Sequence, residues 1–179
     1  MFILASASPR RKNLLSMLVS DFKVIPSNVD ESKIIAEPYD LPLELSKLKA
    51  NDVYKDHQDD TILACDTIVI LDNEVIGKPK DESDAIKMLL KLSGRKHIVV
   101  TGYTFISKDK IIHRSVKSEV YFNDLDLEYI KKYVKEEKPL DKAGAYGVQD
   151  KKYKLVKKIT GSYYNVMGLP VEDIKKYCF

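Results

Sequence analysis

The apolar residues of this chain are concentrated in one stretch. Residues 61–71, from Thr61 to Leu71, are nearly all apolar or β-branched, the pattern of a central strand covered on both faces, and a single charge, Asp66, interrupts them. Upstream, Phe2 to Ala5 reads as a short strand. Pro9 then stands where a first-turn proline belongs, with Ser8 as N-cap and Leu14, Leu15 and Leu18 behind it, so strand, tight turn and helix follow directly. Residues 22–26 read as a second strand whose end carries the acidic turn Asp30-Glu31-Ser32. Between Leu41 and about His57, Leu45, Leu48 and Val53 predict an amphipathic helix with Lys47 and Lys49 on different faces.

Beyond the central stretch, Asp81 to Leu92 has a helical pattern that Ser93-Gly94 stops. His97–Ser107 and Ile111–Phe122 predict a hairpin joined through Lys108-Asp109-Lys110, followed by helices over Leu125–Glu136 and Val171–Tyr177. Gly144, Gly147, Gly161 and Gly168 place most of the glycines after residue 140, which predicts ligand-facing loops there. Strands and helices mix along the chain without a repeat. The expected class is therefore α/β, or mixed α+β, with a mixed sheet and residues 1–179 forming a single domain.

Composition adds limits rather than chemistry. The 44% hydrophobic and 32% charged content over 179 residues fits an ordinary globular chain. No apolar run approaches a membrane span, and Met1-Phe2-Ile3-Leu4 is too short for a signal-peptide core, so a cytoplasmic location without membrane association is expected. Cys65 and Cys178 form neither a metal spacing nor a disulfide framework and are expected to be reduced. The net charge of +3 is modest, yet residues 131–158 hold ten lysines against four acids. Such a run is usually a solvated face; its other reading is nonspecific attraction to an anionic ligand or nucleic acid.

Candidate chemistry begins at the first turn. A strand passing into a helix through Ser6, Ser8, Arg10 and Arg11 offers free N–H groups, hydroxyls and two guanidinium forks at a positive helix end, which is either a phosphate site or a capped surface helix. Asp66 is the sharpest single residue, because an ionised carboxylate in an apolar strand costs several kcal/mol unless a metal, a cation or water compensates it. Its alternative is a strand-end Asp that caps a loop or pairs with a lysine. Glu31 could join it in holding a divalent cation such as Mg²⁺, Mn²⁺ or Co²⁺. Lys49 and Lys78 are candidate phosphate contacts, Lys78 more so because Gly77-Lys78-Pro79 reads as a rigid turn after the central strand. His97 has no carboxylate or nucleophile near it in sequence and is read as structural.

These segments together resemble the Maf family of nucleotide pyrophosphatases. The resemblance runs from Leu4-Ala-Ser-Ala-Ser-Pro-Arg-Arg11 through Asp30-Glu31, Lys49-Ala50, Asp66-Thr-Ile-Val69, Gly77-Lys-Pro79, Ser93-Gly-Arg-Lys-His97 and Thr101-Gly102. It continues in Ala143-Gly-Ala-Tyr-Gly-Val-Gln149 and Gly161-Ser-Tyr-Tyr-Asn-Val-Met-Gly-Leu-Pro170. The resemblance implies an inosine-triphosphatase-like fold: an elongated mixed sheet flanked by helices, two lobes and a central cleft, often in a homodimer. It also implies Asp66 as proton acceptor, Arg10, Thr67 and Gln149 as positions tied to base selection, and Glu31, Lys49 and Lys78 as further site positions.

The late motif is similar to that of the subgroup acting on dTTP and UTP. The Gln149 amide, which donates and accepts at once, suits the imide edge of uracil or thymine. The family is also associated with septum formation. Two departures stand out: Ser118 where Thr is usual, and Asp150 after Gln149 where Gly is usual, which would put a negative charge beside the base pocket. The rival readings are a nucleotide- or nucleic-acid-binding regulator without turnover, motivated by the lysine-rich segment, and a pyrophosphatase for other modified nucleotides.

Overall fold

The computed structural model describes residues 1–179 and is built around the apolar stretch. Strands β1 (Phe2–Leu4) and β2 (Lys23–Val24) run parallel to each other, and β1 runs parallel to the central β3 (Thr61–Leu71). The remaining strands, β4 (Glu74–Ile76), β5 (Lys96–Ile106), β6 (Ile111–Phe122) and β7 (Val156–Thr160), join antiparallel in the order β2-β1-β3-β5-β6-β7, with β4 also on β3. The helices are α1 (Pro9–Leu15), α2 (Leu41–Tyr54), α3 (Glu82–Leu92), α4 (Leu127–Glu137), α5 (Tyr163–Met167) and α6 (Val171–Cys178). Side-chain caps start several of them: Asp81 accepts from the Asp84 amide at 2.8 Å, Asp126 from Tyr129 at 2.8 Å and Ser162 from Asn165 at 3.0 Å. No helix is long and apolar enough to cross a membrane.

The edge of β3 that faces away from β5 is only partly filled. β1 pairs with Thr61–Leu63 and β4 with Val69–Leu71, so residues 64–68 have no neighbouring strand on that side. The alternation along β3 breaks at the same place on both faces. On one face Leu63 and Cys65 join a core with α1 and α6, and Val69 and Leu71 join a larger core with α3 and α4; Thr67 separates them. On the other face Ile62 and Ala64 pack with α2, Ile68 and Ile70 form a small cluster with Val100, and Asp66 lies between. The expected two lobes are these two ends of one sheet, joined across a polar seam.

Several expectations need correction. The acidic turn is not at a strand end: β2 stops at Val24, and Glu31–Lys33 forms a 3-10 turn capped by Asp30. Gly77-Lys78-Pro79 does not follow the central strand directly, because β4 intervenes through a tight turn at Asp72 and Asn73 (φ 52° and 64°), a conformation that suits this residue pair. β7 and α5 were not predicted at all. The lysines of 131–158 are scattered over α4, its following turns and the exposed edge strand β7. Lys131 pairs with Glu128 and Lys152 with Glu136, while Lys157 and Lys158 blunt the sheet edge. Cys65 and Cys178 are buried and unpaired.

Two residues of the motif segments act through packing. Gly102 is the cross-strand partner of Asp66, and α2 begins directly above it: any Cβ at residue 102 would collide with the Leu43 backbone. His97 is fully buried, with Nε2 at 2.8 Å from the Tyr146 hydroxyl, its ring edge-on to Phe122 and Tyr146, and Nδ1 without a partner. Burial pushes its pKa down from 6.5 to about 4, so the imidazole is neutral and structural, as its sequence context suggested.

Gly102→Ala is expected to destabilise the protein by about 3 kcal/mol, read as a fall of roughly 10 °C in Tm, since a packed backbone cannot yield to the new methyl. An unchanged Tm would show that α2 is free to shift. For His97 the unfolded chain binds a proton that the folded one refuses between pH 6.5 and about 4. Stability is therefore full above pH 6.5 and falls by up to about 3 kcal/mol as pH drops towards 4. Denaturant titrations of His97→Asn over that range should show a flatter pH slope than the parent, whatever its absolute stability.

Candidate active site

A cleft of about 420 Å³ opens in the gap between β1 and β4. The topology explains why. β1 points its C-terminal end at the gap from one side and β4 from the other, so the loops that follow them, Ala5–Arg11 and Gly77-Lys78, converge on Asp66 and Thr67. The wall is continued by Pro26, Ser27, Glu31 and Lys49, by Val69 and Val99 of the sheet, by residues 141–143 and 146–149, and by Val166, Met167 and Gly168. Ser8, Arg10, Arg11, Glu31, Lys49, Asp66, Thr67, Lys78 and Gln149 therefore all line one cavity.

Asp66 and Lys49 are the enclosed charges. Lys49 Nζ lies 2.7 Å from Asp66 Oδ1 and 3.1 Å from Glu31 Oε1, with side chains 10% and 13% exposed for Lys49 and Asp66. The buried stripe of α2, Leu45, Ser46, Lys49, Ala50 and Val53, has helical spacing and delivers that ammonium to the sheet. Asp66 is thus paired with a lysine, the alternative open at the sequence level, and it still faces the cleft. Its Oδ2 makes no hydrogen bond within the chain, whereas Oδ1 is held by Lys49. No three His, Cys, Asp or Glu side chains converge as a metal cage; Glu31 and Asp66 meet only through the lysine between them.

Arg11 occupies the polar seam. Its Nε donates to the Gly168 carbonyl at 2.9 Å, and its terminal nitrogens donate to Ser6 Oγ and Thr67 Oγ1, both at 3.1 Å. Thr67 Oγ1 is 2.9 Å from Thr101 Oγ1, and Thr101 donates to the Asn165 carbonyl at 3.0 Å. Arg11 and Thr67 are therefore tied into the scaffold of the cleft, with only part of the guanidinium left for an anion. Ser8 caps α1, accepting from the Arg11 amide at 3.4 Å, so its own hydrogen remains available to a ligand.

Arg10 donates to Asp141 at 2.7 Å, and Lys142 Nζ lies 3.4 Å from the same carboxylate. Burial alone would raise the Asp141 pKa, but the Arg10 hydrogen bond and the two nearby cations more than offset it and hold the carboxyl below its ordinary value. Asp141 and Lys142 were missed in the sequence reading, although they directly precede the 143–149 motif. Lys78 is exposed and unpaired, and the Gln149 amide has no partner in the chain; Val148, Val166 and Met167 are among the apolar residues of the same cleft. The Asp150 carboxylate does not itself line the cleft: it accepts from the Tyr133 hydroxyl at 2.6 Å and lies behind Gly147, which does. In all, five cationic side chains face three carboxylates, an arrangement suited to a polyanion.

The match to known proteins agrees with this geometry. Residues 1–178 match the family described as Maf-like protein. A dTTP/UTP pyrophosphatase of Thermococcus gammatolerans is 47% identical over 98% of this chain and 94% of its own length. One of Thermosipho africanus is 49% identical over 96% of this chain and 88% of its own. Among solved structures, a HAM1 protein from Coxiella burnetii superposes with a TM-score of 0.54 at 15% identity, covering 99% of this chain and 97% of that one. That likeness is one of fold alone, the mixed sheet flanked by helices. The full-length match and the motifs gathered around one cleft have a single meaning: the chain belongs to the Maf-like protein family.

Proposed function

We propose that this chain hydrolyses dTTP and UTP to the nucleoside monophosphate and pyrophosphate. The observation that carries the reading is the Asp66 carboxylate, held by Lys49 through one oxygen and open to the cleft through the other, at the centre of a cationic wall. Water bound at Oδ2 would attack the α-phosphorus. A P–O bond forms to the water oxygen, the bond from the α-phosphorus to the bridging oxygen breaks, pyrophosphate leaves, and the water proton passes to Asp66. Lys49 fixes the carboxylate for that transfer. Arg10, Lys78, Lys142, the Ser8 hydroxyl and the remaining N–H groups of Arg11 offset phosphate charge.

Lys49 bridges one oxygen of Glu31 and one of Asp66, so a divalent cation such as Mg²⁺ would be held by the oxygens it leaves free, Glu31 Oε2 and Asp66 Oδ2, only together with the substrate phosphates, and would supply charge neutralisation there. The free amide of Gln149, in a cleft that also carries the apolar Val148, Val166 and Met167, suits a pyrimidine, its face packed on apolar side chains and its imide edge hydrogen-bonded. The relatives' activity on both dTTP and UTP supports the same choice of base.

With dTTP and Mg²⁺, the first product from the parent protein should be pyrophosphate, with orthophosphate absent. Asp66→Asn should lower kcat by at least about 10³-fold with an unchanged circular dichroism spectrum. Orthophosphate as first product, or a fully active variant, contradicts the mechanism. Gln149→Ala should reduce the ratio of kcat/KM for UTP over purine triphosphates by about 10-fold or more. If that ratio stays fixed while both activities fall, Gln149 does not read the base.

A further inference from the structure

The mechanism leaves Asp141 unused, although it lines the same cleft. Of the three carboxylates on the cleft, Asp66 and Glu31 pair with Lys49, and Asp141 is the one that pairs with other cations of the wall. Each of its oxygens serves one of them: Oδ2 accepts from Arg10 at 2.7 Å, and Oδ1 is 3.4 Å from Lys142 Nζ. The pair with Arg10 joins two walls of the cleft, the first turn of α1 and the 3-10 turn Pro139–Asp141, from positions 131 residues apart in sequence. Lys142 is only 12% exposed on its side chain whereas Asp141 is 61% exposed, so the carboxylate can swing into solvent while the cations stay.

We propose that Asp141 is a built-in counter-ion: it occupies Arg10 and Lys142 in the empty cleft, yields them to the polyphosphate, and recaptures them after hydrolysis, so that anionic products are not retained. This rests on the proposed pyrophosphatase reading. The physical argument is competition. A cleft with a surplus of fixed cations binds any phosphate, and both products of the reaction are phosphates. A mobile carboxylate that must be displaced lowers the affinity of every anion that engages those two cations, and its return favours release. In this role Asp141 is a positioning residue that touches no reacting atom.

The test is Asp141→Asn, which keeps the shape and removes the charge, with Asp141→Glu as the conservative control. Calorimetric titration with pyrophosphate and, separately, with dTMP reads binding without turnover. At low salt the Asn variant should bind both anions about two- to fivefold more tightly than the parent, the range expected for an exposed ion pair, and the Glu variant should stay near the parent. KM for dTTP should fall with them, and the gain should shrink in high salt. Unchanged affinity overturns the proposal, as does failure of every variant to bind either anion. Weaker binding by the Asn variant overturns it in favour of a brace that merely holds Arg10 in place. Failure of the parent to hydrolyse dTTP or UTP while binding both anions would count against the pyrophosphatase reading alone.

Discussion

A carboxylate in the middle of a strand shared by two apolar cores costs several kcal/mol unless a cation meets it there, and most of the surrounding architecture serves that meeting. Lys49 supplies the charge, but an ammonium on a helix reaches a sheet only if the helix lies close. The closeness comes from Gly102, the cross-strand partner of Asp66, whose missing side chain lets the start of α2 rest on the backbone of β5. Lys49 follows less than two turns later on the buried stripe. Asp66, Gly102 and Lys49 are therefore one device spread over three elements, and Glu31 reaches the same ammonium from a loop.

The second constraint is topological. A central strand with β1 on one end of its edge and β4 on the other leaves a short length of edge uncovered, and the loops leaving both strands must turn there. Open α/β sheets place ligands where the chain reverses in this way. Here the opening is polar because both loops carry basic residues, and Arg11 spends three donors holding the opposite walls together. Neighbouring residues of the same first turn are used differently: Arg11 is tied into the walls by three bonds, whereas Arg10 makes one pair, with Asp141.

Much of this was legible from the chain. The 61–71 stretch announced the central strand, and its lone charge marks where the cleft opens, because a charge amid β-branched residues needs a partner. The strand–turn–helix at Ser8-Pro9 was equally plain from capping chemistry. What stayed hidden was short or relational. β4 is three residues long, and β7 reads as part of a lysine run because an edge strand can carry lysines on both sides of its apolar positions. α5 spans five residues, too few for periodicity to show. That Lys49 belongs to Asp66, or that Arg11 is spent on Thr67, depends on long-range pairing that no local pattern encodes. Asp150 shows that proximity in sequence is not a shared wall: Gln149 lines the cleft, whereas the Asp150 carboxylate is taken up by the Tyr133 hydroxyl behind Gly147.

The polar seam also governs how the molecule comes apart. On either side of Thr67 the apolar cores are continuous, and they are joined through β3 and β5, through α5, whose Val166 packs on one core and Tyr164 and Met167 on the other, and through the hydrogen bonds of Arg11, Thr101 and Asn165. Apolar contact couples neighbouring elements broadly, whereas a few directional bonds couple them only while their geometry holds. Coupling between the two ends of the sheet therefore leans in part on a handful of donors and acceptors at the seam, where apolar contact is thinnest. A ligand seated in the cleft would touch both sides of that seam and so oppose its opening.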